Sequence, residues 1–415
     1  MKINPFRQNS PVNPGMFVGR LNEIKRLEQA LIQARHGEPA HFMITGERGI
    51  GKTSFLLYVN YLAEGKILYE SDKLNFLILD LDIDSNTTQL GLIRRINQHI
   101  ERVLGKTDPA KKFLKEAWSF LQRIRVMGSG IEKEDKLVVD EVVIDDFALS
   151  LNKICDKICK ERTDTIIPTK YDGILILIDE ADNCSANLQL GSFLKLMLER
   201  LQKMNCNNIL IGLAGLPELR SKLHSSHPSS LRIFEEIQLG RLSNNEVERV
   251  IDICLEKANS ANQIKTTIET KAKEVLIYLS EGYPHFIQQF GYSAFAYDND
   301  NIIDEKDVRE SALGAKGALN LIGDRYYRND FYNKIQQESY RQVLRIMADD
   351  LDGWVDKAKI RRMFKGKDSV LNNALKALRD RHIIQPKEGQ KGVYRLQHKG
   401  FALWIKLYTS SNLTQ

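Results

Sequence analysis

The chain has 415 residues, 42% of them hydrophobic and 27% charged, which is too long for one core and ordinary for a globular protein of several domains. No uncharged apolar run approaches the roughly 20 residues of a bilayer span, and the start, MKINPFRQNSPVNP, lacks the apolar stretch of a secretory signal; a cytoplasmic protein without membrane contact is expected. Net charge is +6, yet residues 331–415 hold 17 Lys+Arg against 8 Asp+Glu, so the basic excess lies there and predicts a polyanionic partner for that segment. In chain order, residues 1–16 are rich in Pro and Asn and read as extended, and FVGRLNEIKRLEQAL (17–31) has the three-and-four spacing of a helix. HFMITG (41–46) is a short apolar strand that runs into GERGIGKTS (46–54), and TSFLLYVNYLA (53–63) is the helix after it.

That strand–loop–helix context gives the spacing G-x-x-x-x-G-K-[ST] of Gly46, Gly51, Lys52 and Thr53 a physical meaning. Backbone N–H groups along Gly46, Glu47, Arg48, Gly49, Ile50, Gly51 and on to Ser54 can wrap a polyphosphate. Lys52 reaches the β and γ phosphates and Thr53 holds Mg²⁺. Arg48 reads as solvent-facing.

NFLILDLDI (75–83) is a second buried strand and GILILIDEADN (173–183) a third. The 127 positions from Lys52 to Asp179 are about twice what a simple core of this kind needs, so an insertion is expected over about 85–170. It reads as mostly helical, over 89–104, 109–124 and 147–161, with 126–144 as a hairpin or a loose loop. Cys155 and Cys159 lie four apart on one helix face. No second Cys or His pair stands at ligand spacing, so free structural thiols are expected. At the end of ILILIDE, Asp179 is placed to hold the Mg²⁺ shell. Glu180 is placed to polarise an attacking water, a general-base role worth roughly 10²–10⁴-fold. Asp182 reads as a helix cap. NNILIGLAGLPELRSKL (207–223) is another buried strand, a turn and a helix start. Short buried strands alternating with helices predict an α/β fold, a parallel sheet with helices on both faces, over residues 1–240.

After LGRLSNNEV (239–247) the strands stop. Ser243 with Glu246 forms a capping-box pattern, and helices follow through GYPHFIQQFGYSAFAY (282–297) as a helical lid over 241–325. The tyrosine-rich DRYYRNDFYNK (324–334) leads to a last domain, 330–415. There three amphipathic helices (339–351, 355–364, 368–384) precede two strands around EGQKG, the order of a winged helix-turn-helix. In that fold the third helix enters the major groove and the wing touches backbone. Lys376, Arg379, Arg381, Lys387, Lys391 and Arg395 are the expected DNA contacts. A protein-docking or autoinhibitory role for the same module stays open.

FVGRLNEIKRL, GERGIGKTS, LIDEADN, LGRLS and GYPHFIQ together resemble the AAA+ ATPases. The nearest relatives suggested are the prokaryotic cousins of the origin-initiator ATPases, which grade into STAND-type switch ATPases and transposition-helper ATPases. The resemblance covers most of residues 10–310 apart from the insertion. It implies ATP and Mg²⁺ as ligands, a homo-oligomer, and Phe17, Val18 and Gly19 near the adenine. It also implies an arginine donated to a neighbour's site: Arg232, with Arg241 or a plain surface ion pair as the alternatives. Gly282-Tyr283-Pro284 resembles the G-x-P element of STAND proteins, which would set Pro284 against the base. His285 is then a packed lid residue or a phosphate sensor. RIRVMGSGIEKEDK (123–136) stands where initiator-type ATPases carry a DNA-gripping element. Two departures matter: the strand ILIGLAG is followed by nothing polar until Glu218, and GYPHFIQQ carries no lid arginine. A site without those two sensors implies slow or assembly-dependent hydrolysis. Two functions remain open at this point, a DNA-acting ATPase of initiator or transposition-helper type and a STAND-like signalling switch, for example in phage defence. The chain carries no effector motif, so either implies a separate partner protein.

Overall fold

The computed structural model describes residues 2–12, 14–68, 73–122, 139–159, 166–167, 169–314, 316–351 and 353–409. Two compact units result: Pro11–Gly240, and Arg241–Gln415 together with Met1–Ser10. In the first unit five strands form one parallel sheet: β1 (Phe42–Thr45), β2 (Phe76–Asp82), β3 (Gly173–Asp179), β4 (Ile209–Gly215) and β5 (Glu235–Gln238). Their order is β2-β3-β4-β1-β5. β3 and β4 are buried along their whole length, as strands covered on both faces must be. At the β2 edge burial alternates. β5 escapes sequence reading because an edge strand of sequence EEIQ, mostly exposed, has no apolar run to mark it.

The helical stretch expected as an insertion packs against the sheet. Ile93, Ile96 and Ile100 of the helix Gln89–Leu104, and Phe147, Leu151 and Ile154 of the helix Glu141–Cys159, share one apolar cluster with Leu79, Ile174, Ile176 and Ile211 of the sheet. The helix expected over 109–124 instead runs Asp108–Ala117 and breaks at Trp118. Residues 141–144, expected in a hairpin or loop, open the next helix. Residues 123–138, which include the suggested DNA-gripping element, lie outside the described residues.

In the second unit the Ser243–Glu246 capping box forms as expected: Ser243 Oγ accepts from Glu246 N at 3.4 Å and Ser243 N donates to Glu246 Oε2 at 2.7 Å. Helices Asn244–Ala261, Thr270–Ser280, Pro284–Tyr297 and Glu305–Leu313 follow. Strands do not stop here, however. β6 (Thr267–Ile268) and β7 (Ile302–Ile303) form a two-residue parallel bridge, too short to leave a periodic signal. Two π-helical turns, Gly323–Tyr327 and Asp330–Lys334, lead to helices Glu338–Ala348, Lys357–Met363, Asp368–Asp380 and Lys399–Tyr408. Among these lies a three-stranded antiparallel sheet of β8 (Val355–Asp356), β9 (Ile384–Pro386) and β10 (Val393–Leu396), in the order β8-β10-β9. The two strands around EGQKG are therefore joined by a third that the sequence did not announce.

Lid and C-terminal segments, expected as separate domains, lie in one unit. The reason is aromatic. Tyr327 stacks near Phe401 at 4.9 Å and Phe286 meets His398 at 6.0 Å, so rings from both segments share a core, each pair worth about 0.5–1.5 kcal/mol beyond its burial. The first ten residues also belong to this unit. Phe6, 4% exposed, sits over Gly291. Ile3 exchanges hydrogen bonds with Asn262, and Lys2 pairs with the buried Asp298. No described helix is long and apolar enough to cross a membrane.

Candidate functional site

The loop after β1 turns through two left-handed residues, Gly49 at φ 79° and Gly51 at φ 98°, a conformation only glycine adopts without penalty. The helix Lys52–Ala63 starts at once, and its N-cap, Gly51, has no side chain to satisfy the first-turn amides. Those N–H groups and the helix dipole suit an anion. Lys52 Nζ donates to Gly46 O at 2.9 Å and Glu47 O at 3.2 Å, so its ammonium lies inside the loop. Burial lowers the Lys52 pKa; Asp182, Asp179 and Glu218 pull it back up and Arg48 lowers it further. Glu218, the first polar group after β4, therefore belongs to the electrostatic surroundings of Lys52.

Thr53 and Asp179, 126 positions apart in the chain, meet directly: Thr53 Oγ1 donates to Asp179 Oδ2 at 2.9 Å. Asp179 is 8% exposed at the C-terminal end of β3, and its Oδ1 accepts from Glu180 N at 2.8 Å. A hydroxyl and a carboxylate together are the hard oxygen donors that Mg²⁺ takes, so the residues present fit that ion. Glu180 has left-handed φ of 50° and is exposed, with Oε2 accepting from Asn183 Nδ2 at 3.0 Å. Asp182 is not a helix cap. It is the middle residue of a single 3₁₀ turn, Ala181–Asn183, and its Oδ1 accepts from Leu216 N at 2.9 Å, tying the exit of β3 to the exit of β4.

Phe17 packs face to face on Phe55 at 5.6 Å and on Tyr58 at 5.9 Å, along the helix that leaves the loop. Val18 is half-buried beside it in sequence. Ser54 Oγ accepts from Val12 N at 3.3 Å. Sequence reading stopped at Gly19 and missed Arg20. This arginine is buried, at 8% exposure, and its Nη2 donates to Ile50 O at 2.7 Å and to Gly240 O at 3.1 Å. The available signal was a basic residue closing an otherwise apolar FVGR segment. Arg48 is exposed, as expected.

Arg232 ends the 3₁₀ turn Pro228–Arg232 and is exposed, with no ion pair among the described residues. Arg241, the alternative, is engaged within its own unit. It pairs with Glu281 Oε2 at 3.3 Å, donates to Gln397 O at 3.1 Å and lies over the Tyr283 ring at 4.6 Å. Pro284 opens the helix Pro284–Tyr297 in that unit, and the His285 ring packs near Tyr326 at 5.3 Å. All five cysteines are free thiols; Cys155 and Cys159 lie 3.9 Å apart, sulfur to sulfur.

The six expected DNA contacts are all exposed. Lys376 stands on the helix Asp368–Asp380, whose buried residues are Leu371, Ala374, Leu375 and Leu378. Arg395 lies over the Trp354 ring at 4.7 Å and Lys387 over the same ring at 5.9 Å, which gathers the wing's cations. Lys391 belongs to the turn between β9 and β10. Arg379 pairs with Asp380 at 3.1 Å, and Arg381 donates to Lys334 O at 2.5 Å.

Residues 16–202 match the family described as the AAA ATPase domain. An uncharacterised HTH-type transcriptional regulator of Methanocaldococcus jannaschii is 27% identical over 266 residues, 62% of this chain. The match spans 58% of that relative's length. The fold is similar to that of the Aeropyrum pernix ORC2 protein in its ADPNP–ADP complexes, with TM-score 0.56 and 13% identity over 98% of this chain and 97% of that one. The ADP form of the same protein gives TM-score 0.50 and 14% identity over 97% and 98%. The chain thus has an α/β fold with a five-stranded parallel sheet, consistent with the P-loop core of these neighbours, and the match to the AAA ATPase domain ends inside the helix Leu190–Lys203, short of β4 and β5.

Proposed function

We propose that this protein is an ATPase that binds ATP with Mg²⁺ in the loop Gly46–Ser54 and couples it to DNA binding by its C-terminal segment, assembling in a nucleotide-dependent way. The observation that carries the proposal is the Thr53–Asp179 hydrogen bond of 2.9 Å at the foot of a loop already holding the Lys52 ammonium. Mg²⁺ held by Thr53 and Asp179 would supply positive charge against the phosphate oxygens. Lys52 and the first-turn amides bind and orient the triphosphate. Phe17 and Val18 wall the base. Glu180 accepts the proton of the attacking water. Arg232, exposed and without an ion pair among the described residues, is suited to reach a neighbouring copy's site, where such a cation is worth about 10³–10⁵ in rate in other systems.

For the C-terminal segment, helix, strand, helix, helix and a two-stranded wing succeed one another in the order of a winged helix. The basic excess and the exposed Lys376, Lys387, Lys391 and Arg395 support a DNA role, as does the relative named an HTH-type regulator. A specific contact favours the second reading, a STAND-like switch that recruits a separate effector and in which the winged helix is an internal brake. Half-buried Glu281 accepts from Gly400 N at 3.0 Å while Arg241 reaches Gln397 O, which fastens the C-terminal segment to the lid. Titration of a fluorescent duplex at several salt concentrations, with ATP present, separates the two. Steep salt dependence, lost in a Lys376→Ala/Lys387→Ala/Lys391→Ala variant, supports the DNA reading; no binding at any salt favours the switch.

A further inference from the structure

We propose that Arg20 is a positioning residue for the nucleotide: by fixing the Ile50 carbonyl it aims the Gly51 amide N–H into the phosphate-binding loop. The proposal rests on reading Gly46–Ser54 as that loop. In a trans peptide the C=O and the following N–H point in opposite directions, and no cis bond occurs among the described residues. A guanidinium holding Ile50 O at 2.7 Å therefore also fixes where the Gly51 N–H points, which is away from Arg20. The pin stands where it is most needed. Gly51, at φ 98°, has the widest conformational freedom of any residue type, and it caps a helix without a side chain of its own.

The same Nη2 holds Gly240 O at 3.1 Å. Leu239, one residue earlier, donates its N–H to Thr45 O at 2.7 Å. A Cβ placed on Gly46 would come 3.0 Å from Leu239 O and 2.8 Å from Ile50 Cγ2. Arg20 thus ties the far end of the loop to the segment that packs on its near end. Its backbone is bent to do so, since Gly19 (φ 75°) and Arg20 (φ 61°) are consecutive left-handed residues, and such strain in a non-glycine residue collects where a side chain is held in place for function. A charged donor on each carbonyl makes both bonds stronger than neutral ones.

The test uses the full chain with Arg20→Ala, Arg20→Met and Arg20→Lys. Binding of fluorescent ATP and ADP analogues is measured, with competition by unlabelled tripolyphosphate and by adenosine, and thermal unfolding is followed without nucleotide. In Arg20→Ala and Arg20→Met, affinity for ATP, ADP and tripolyphosphate should fall roughly ten- to hundredfold, while adenosine competes as before. Arg20→Lys, which keeps a charged donor, should recover part of the loss. Arg20→Met retains the buried stem and carries the test if Arg20→Ala does not fold. ATP affinity within about twofold of wild type in a folded variant overturns the proposal, as does an equal loss for adenosine. A wild-type chain that binds no nucleotide, and does not differ from Lys52→Ala, overturns the phosphate-loop reading and this inference with it.

Discussion

His41, just ahead of β1, should make the first unit acid-sensitive in a measurable way. The side chain is 9% exposed, and its Nδ1 accepts a hydrogen bond from Ile211 N at 3.1 Å, next to β1 in the sheet. Burial pushes its pKa from 6.5 down to about 4. A depressed value means that the folded state resists the proton that the unfolded chain accepts, so stability is complete above pH 6.5 and is lost as pH falls toward 4. Across the whole window the fall from 6.5 to about 4 is worth about 3.4 kcal/mol; between pH 7 and pH 5 the loss is about 1.8 kcal/mol. Asp80 and Glu281, both raised by burial, act with the opposite sign but are common to wild type and variant, so they cancel in a difference. Urea unfolding followed by circular dichroism at pH 7 and pH 5 checks this with His41→Gln, which keeps an acceptor for Ile211 N but does not titrate. The variant should lose about 1.8 kcal/mol less than wild type over that interval. A difference below about 0.5 kcal/mol would refute the reasoning, because it would mean that His41 is solvated enough to titrate normally.

Three further outcomes are expected. Asp179→Asn should reduce ATP affinity in Mg²⁺ to the value measured with EDTA, because the carboxamide cannot serve as the anionic oxygen beside Thr53 Oγ1; isothermal titration in both buffers decides it. Glu180→Gln should bind ATP as wild type does while turnover falls roughly 10²–10⁴-fold, and unchanged phosphate release would remove Glu180 from its role. Gly291→Ala would place a Cβ 2.4 Å from the Phe6 ring, so the first ten residues should detach; faster N-terminal cleavage in limited proteolysis is the expected readout, and equal protection would contradict it.

What the sequence made legible was local or periodic. GERGIGKTS announces itself because a glycine turn before a helix N-terminus needs those residue types at that spacing. ILILIDE does so because an apolar strand ending in two acids, in a chain that carries that loop, supplies the Mg²⁺ carboxylate and a candidate base. The structure joins them through Thr53 and Asp179. Illegible features depend on neighbours far away in the chain. β5 reads as charged loop until β1 lies beside it. Helix Glu141–Cys159 gives no sign in the sequence that its Phe147 and Leu151 share the sheet's apolar cluster. Asp182 looks like a cap because its partner, Leu216 N, lies 34 positions on. Arg20 is the same kind of case, since a lone arginine at the end of an apolar segment gives no hint that its acceptors lie 30 and 220 positions away.

Part of the left-handed backbone of the first unit lies around these same groups. Left-handed φ values at Gly19, Arg20, Gly49, Gly51 and Glu180 lie in the segments that present Phe17, the loop amides, Lys52 and the two acids, while Gly37, Gly65, Gln189 and Asn205 adopt the same region elsewhere in the unit. For Arg20 and Glu180 the conformation costs of order 1 kcal/mol or more each. It persists because stiff partners over-determine it: Asp179 Oδ1 accepts the Glu180 amide, and the Arg20 guanidinium grips two carbonyls. β3, which ends at Asp179, is buried along its whole length and cannot yield without opening the apolar cluster. A buried strand behind flexible glycines favours one arrangement of the loop and its acids, which the proposed phosphate site requires.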